Sequence, residues 1–101
     1  MKTIWKYPLQ IRDVQIIKVP SLSNFQDDHG LIWGQLLHVG QWGGTPTLWM
    51  MVDGERATRD IEIRIIGTGH ECPNSLEFDY LGTTICEPFV WHIFSKVLTN
   101  E

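Results

Sequence analysis

The chain has 101 residues, 43% hydrophobic and 20% charged, with five Trp, four Phe and a formal net charge of −4. That length gives one domain with a core of its own, and the aromatic content excludes a disordered chain. The charge excludes a nonspecific duplex nucleic-acid binder, whose affinity would rest on many Lys and Arg neutralising phosphates.

The start, Met1-Lys2-Thr3-Ile4-Trp5-Lys6, lacks the apolar core of a signal peptide, and only Cys72 and Cys86 carry thiols. Together these predict a cytoplasmic chain with free cysteines. No apolar run approaches the ~20 residues a membrane span needs, so no membrane partner is expected.

Thr3, Trp5 and Tyr7 alternate with Ile4 and Lys6 until Pro8 stops the run, which predicts a first strand. Residues 14–19 give a second strand, closed by Pro20, and Asp13 lies in the connection, so the two are expected to pair as a hairpin. Residues 21–30 have loop composition, with Ser, Asn, Asp27-Asp28 and His29; the paired carboxylates read as a solvated loop. Residues 31–39 resume alternation as one strand. Gly40 to Pro46 forms a glycine-rich turn around Trp42, and a nearly continuous apolar strand follows over 47–53, making a second hairpin.

Asp53-Gly54 is a strong turn dipeptide of the type I′ kind, leading toward the clearest strand of the chain. There Ile61, Ile63 and Ile65 share one face, and Asp60, Glu62 and Arg64 share the other. The pattern ends at Gly67-Thr68-Gly69-His70. Leu76, Phe78 and Tyr80 alternate again, Gly82 permits a bulge, and Thr83 to Cys86 continue the strand. Glu87-Pro88 turns the chain, and residues 89–98 are β-branched and aromatic, with a helical turn possible near Lys96. The total is about seven short antiparallel strands and no convincing helix, a mainly β single domain built as a small barrel or sandwich.

Two glycines around Thr68 can bring bare backbone N–H groups to an anion, with His70 beside them and Arg64 or Arg59 to meet a phosphate. The same four residues also make an ordinary tight turn. Trp5, Tyr7, Trp33, Trp42, Trp49 and Trp91 are rings able to stack a base, and Trp42 stands out because nothing in its turn calls for burial. His70, Glu71, Cys72 and Cys86 have the chemistry to bind zinc but none of the short spacings that fix two ligands on one turn, so no metal or other cofactor is expected. Nucleophilic catalysis by either cysteine would need a histidine and an orienting carboxylate at no spacing the chain displays.

Several stretches together resemble a family of small proteins of tailed bacteriophages and prophages, classed as a domain of unknown function. They are the opening through Tyr7-Pro8-Leu9, Gly44-Thr45-Pro46-Thr47-Leu48-Trp49 running into Val52-Asp53, and Ile66-Gly67-Thr68-Gly69-His70. Tyr80-Leu81-Gly82-Thr83 and Phe89-Val90-Trp91-His92-Ile93-Phe94 complete the likeness. Residues 25–41 form a longer segment than that pattern has.

The resemblance brings no catalytic residues with it. A phage origin implies a compact anti-defence protein of the infected host's cytoplasm: a non-enzymatic homo-oligomer that sequesters a small cyclic nucleotide immune signal. The expected site is Arg64, Arg59, Gly67, Thr68, Gly69, His70 and Trp42, with arginine meeting phosphate and the indole stacking the base. The alternatives are an inhibitor that binds a host defence protein directly, a virion accessory protein, and a small nucleotide hydrolase.

Overall fold

Isoleucine at every second position makes β6 (Thr58–Gly67) a strand with one dry face, on which Ile61, Ile63 and Ile65 are buried. Around it, the computed structural model describes residues 1–27, 30–73 and 77–98, leaving aside the side chains of 23–33. The other strands are β1 (Lys2–Pro8), β2 (Val14–Asp27), β3 (Gly30–Trp33), β4 (Gln35–Trp42), β5 (Thr45–Asp53), β7 (Asp79–Cys86) and β8 (Phe89–Val97). All pairings are antiparallel. They build two sheets, one of three strands in the order β1-β5-β4 and one of five in the order β3-β2-β6-β8-β7. The expected all-β sandwich is therefore the fold, with two separate sheets rather than a closed barrel.

Side chains from both sheets fill the space between them. Leu48, Met50 and Val52 come from β5, Val19 from β2, the three isoleucines from β6 and Ile93 from β8, all at most 3% exposed. Leu9, in the connection after β1, closes one end of this core, and its N–H donates to the Pro46 carbonyl at 2.8 Å.

Several expectations change. β1 and β2 do not form a hairpin: β1 pairs with β5, and β2 crosses to the other sheet to pair with β6. Asp13 and Pro8 mark a crossover between layers, and one tie across it is the Tyr7 hydroxyl donating to the Lys18 carbonyl at 3.1 Å. Burial of that ring raises the Tyr7 pKa above its ordinary value. Next, β2 runs on to Asp27 through the stretch whose composition suggests a loop, because β3 folds back onto it. Asp28 and His29 lie outside the described residues, as does the side chain of Asp27.

The single strand expected over 31–39 is also split at Gly34. β3 pairs with β2 in one sheet and β4 pairs with β5 in the other, so the chain changes layers there. A Cβ on Gly34 would lie 3.0 Å from Val19 Cγ1, 3.0 Å from Val52 Cγ1 and 3.1 Å from the Met51 carbonyl oxygen. The crossing needs a bare Cα because it passes between the two layers' valines. Gly34→Ala should therefore destabilise the fold by about 1–3 kcal/mol through overpacking, measured as a lower urea midpoint at unchanged slope.

The turn after β5 is also not type I′, since Gly54 is not among the glycines with positive φ. The Arg56 N–H donates to the Asp53 carbonyl at 3.0 Å. The Asp53 carboxylate accepts from the Glu55 N–H at 3.1 Å and from Arg56 Nε at 3.2 Å. The Glu55 hydrogen bond, the amino terminus and Arg56 hold its pKa below the usual carboxylate range. Lys96 lies inside β8, so the chain has no helical turn there. β7 starts at Asp79 rather than near Leu76, which lies outside the described residues. Among the described residues no helix is long and apolar enough to cross a membrane.

Candidate functional site: a histidine cleft at the end of β6

The outer face of the five-stranded sheet is set by register. Arg64 of β6 lies opposite Phe94 of β8, which lies opposite Tyr80 of β7; one row on, Ile66 lies opposite His92, and His92 opposite Thr83. Tyr80 and Thr83 are three apart, and on a regular strand they would point to opposite faces. A bulge between Tyr80 and Gly82 inserts the extra residue that turns both outward.

That arrangement surrounds one imidazole. His92 Nδ1 is 2.8 Å from Thr83 Oγ1, and His92 Nε2 is 2.7 Å from Thr68 Oγ1. The Tyr80 hydroxyl in turn hydrogen-bonds Thr83 Oγ1. The Tyr80 and Phe94 rings sit 5.4 Å apart, tilted by 55°. In neutral His92 one ring nitrogen donates to a threonine and the other accepts a hydroxyl; the protonated ring donates to both. The ring is thus fixed in position, with a hydroxyl at each nitrogen.

The loop that follows β6 closes this cluster. The His70 N–H donates to the Gly67 carbonyl at 3.1 Å, which leaves at most Thr68 and Gly69 to offer loop N–H groups to a ligand. Gly69 has φ of 91°, in the region that disfavours any residue with a Cβ. The loop and the cluster enclose a shallow cleft of about 380 Å³. Its lining joins His70, His92, Thr68 and Thr83 to Tyr80 and Phe94, with Cys72 at the side and, among the described residues, no carboxylate.

The same loop borders two further depressions. One, of about 440 Å³, is lined by Arg64 and His70 but also by Asp13 and Glu71, and is therefore a poor anion site. The other, of about 320 Å³, runs past Phe89 and Trp91. The indole N–H of Trp91, which lines both, is buried with no partner among the described residues.

The structure thus brings Gly67, Thr68, Gly69 and His70 together around a cleft and leaves the other expected members elsewhere. Arg64 Nε donates to Glu62 Oε2 at 2.7 Å, and its guanidinium lies 5.2 Å from the Phe78 ring, so its charge is already engaged beside the 440 Å³ depression. Arg59, paired with Val19, lies at the opposite end of β6, about 26 Å from Gly67 at the usual rise per residue. Trp42 belongs to the β4–β5 hairpin of the other sheet, 60% exposed, with Lys6 Nζ 3.8 Å from its ring centroid. The side chain of Trp33 lies outside those described.

His92, Thr83, Tyr80 and Phe94 are the residues sequence reasoning missed. Their signal was present in the alternation of β8 and in Gly82, but it became readable only once β7, β8 and β6 were known to be neighbours. Cys72 is exposed and Cys86 buried, and neither forms a disulfide. Among the described residues no three His, Cys, Asp or Glu side chains are grouped to hold a metal ion.

No curated protein and no solved structure matches this chain. A family model does match it over residues 1–101, and the chain belongs to that family, described as domain of unknown function DUF7352.

Proposed function

We propose that the protein is a non-enzymatic binder of a small nucleotide, held in the His92 cleft. The observation that supports this most is the lining of the 380 Å³ cleft: two aromatic rings, two imidazoles and two threonine hydroxyls with no carboxylate. The volume falls within the range of small-molecule sites, and the chemistry divides as a nucleotide requires. Tyr80 and Phe94 offer π-faces to a base, while the imidazoles, Thr68, Thr83 and the loop N–H groups meet phosphate or ribose oxygens.

Binding is favoured over turnover because a threonine, not a carboxylate, orients His92. The likeness to phage proteins supplies the setting: a cytoplasmic anti-defence protein, acting as an oligomer, that removes a cyclic nucleotide signal without altering it. Direct inhibition of a host protein is the second reading, favoured by Ile16, Tyr80 and Ile85, all more than half exposed on the outer face.

Calorimetry with a panel of cyclic dinucleotides, cyclic ADP-ribose isomers and mononucleotides is expected to find one tight ligand, recovered intact after the protein is denatured. Silence across the panel, with a stoichiometric host protein co-purifying, would favour the second reading. A product accumulating on incubation would favour a hydrolase.

A further inference from the structure

Beside the His92 cleft the two sheets meet along their edges. β4 ends the three-stranded sheet and β7 ends the five-stranded one, and β7 lies against β4 at Gly82, where a Cβ would come 3.0 Å from Val39 Cγ2. Both edge strands are irregular at that point. Leu37 is the extra residue of a bulge between Leu36 and His38, and Leu81 is the extra residue of the bulge between Tyr80 and Gly82. Two bulges at one place open a depression of about 310 Å³, lined by residues 36–39 and 81–83.

Thr83 belongs to this depression and to the His92 cleft alike. The ligand surface therefore continues across the edge of β7, and its chemistry does not change on the way: among the described residues neither lining holds a Lys, Arg, Asp or Glu. On the far side stands His38. Its ring rests against Trp49, with centroids 5.5 Å apart, and over Gly40, where a Cβ would lie 2.6 Å from His38 Nε2.

We propose that the ligand is a dinucleotide, with one base in the His92 cleft, the linking phosphate at Thr83 and the second base against His38. This inference rests on the nucleotide reading and narrows it. Each recess carries its own ring able to stack a base, Tyr80 or Phe94 in the first and His38 in the second. Donors for a bridging phosphate lie between them. The Thr83 hydroxyl is free to donate when His92 Nδ1 donates to it, and edge strands leave backbone N–H groups outside the ladder. Charge points the same way. A lining without Lys or Arg suits the single charge of a phosphodiester better than the roughly −1.5 to −2 of a terminal phosphate.

The test is calorimetry on the full chain with cyclic and linear dimers of adenylate, guanylate and uridylate, each against its own mononucleotide. At least one dimer should bind roughly 5- to 150-fold more tightly than its mononucleotide, the gain typical of one further stacked base. His38→Ala should remove most of that advantage. Leu37→Glu, at an exposed position, sets a carboxylate in the second recess and should remove it as well. Trp42→Ala should leave both affinities unchanged, and mononucleotide binding by each variant reports that it is folded. The inference is overturned, with the nucleotide reading left standing, if mononucleotides bind as tightly as every dimer or if both variants keep the dimer's full advantage. If neither mononucleotide nor dimer binds, the nucleotide reading falls and this inference falls with it.

Discussion

Changing His92 to alanine should weaken the proposed nucleotide binding by tenfold or more and leave the domain folded. The side chain lies on the outer face of β8, half-buried, and Ile93 beside it carries the packing. Its loss takes away two surface hydrogen bonds, each contributing about 0.5–1.5 kcal/mol, so the unfolding midpoint should move little. For the ligand the loss is larger. A hydrogen bond to a charged oxygen contributes about 1.5–3 kcal/mol, which predicts affinity falling roughly tenfold to 150-fold.

Two companions locate the effect. Thr83→Val keeps the shape while removing the hydroxyl that holds Nδ1, and should cost part of the affinity. Arg64→Ala removes a guanidinium already paired with Glu62 and outside the cleft lining, and should cost almost none. Calorimetry with the nucleotide found in the panel measures all three. Equal losses for Arg64→Ala and His92→Ala would shift the site to the neighbouring depression.

Ile63→Asp is expected to abolish folding altogether. Ile63 is 0% exposed, the central isoleucine of β6, with β2 on one side and β8 on the other. A carboxylate there would face only the buried hydroxyl of Ser95 across the ladder and no cation among the described residues, and the effective penalty of several kcal/mol approaches the whole 5–15 kcal/mol stability typical of a domain. Ile63→Ala, which leaves a cavity rather than a charge, should cost about 2–5 kcal/mol and keep a cooperative transition. Far-ultraviolet circular dichroism through a urea titration separates the two: a sigmoid at lower midpoint for alanine, and no native baseline for aspartate.

What the sequence makes legible is local. Period-2 isoleucines announce β6, glycines and Trp42 announce the β4–β5 hairpin, Glu87-Pro88 separates β7 from β8, and Gly82 marks a bulge that is present. What it hides is which strands meet. A one-layer reading pairs β1 with β2 because they are consecutive, yet the core needs two layers, and crossing between them at residues 9–13 buries Leu9. The same need splits 31–39 at Gly34, whose missing side chain has no signature in a strand that alternates on both sides of it.

The site follows the same rule. Gly67, Thr68, Gly69 and His70 are contiguous and could be chosen from the sequence. Tyr80, Thr83 and His92 meet them only through register across three strands, one of them bulged. Arg59 and Trp42 were plausible as residue types, but Arg59 lies a strand's length from the loop and Trp42 lies in the other layer. Residue type suggests a chemistry; topology decides which residues are brought together to supply it.

The central claim is that the loop after β6 and the threonine-bound imidazole of β8 form one ligand site. An isotope-labelled sample titrated with adenosine monophosphate to millimolar concentration, followed by amide and imidazole NMR shifts, addresses it most directly. Saturable shifts should concentrate at Thr68, Gly69, His70, Thr83 and the His92 ring, with Trp42 and Arg59 unmoved. Shifts absent from that group, or centred on another face of either sheet, would contradict it.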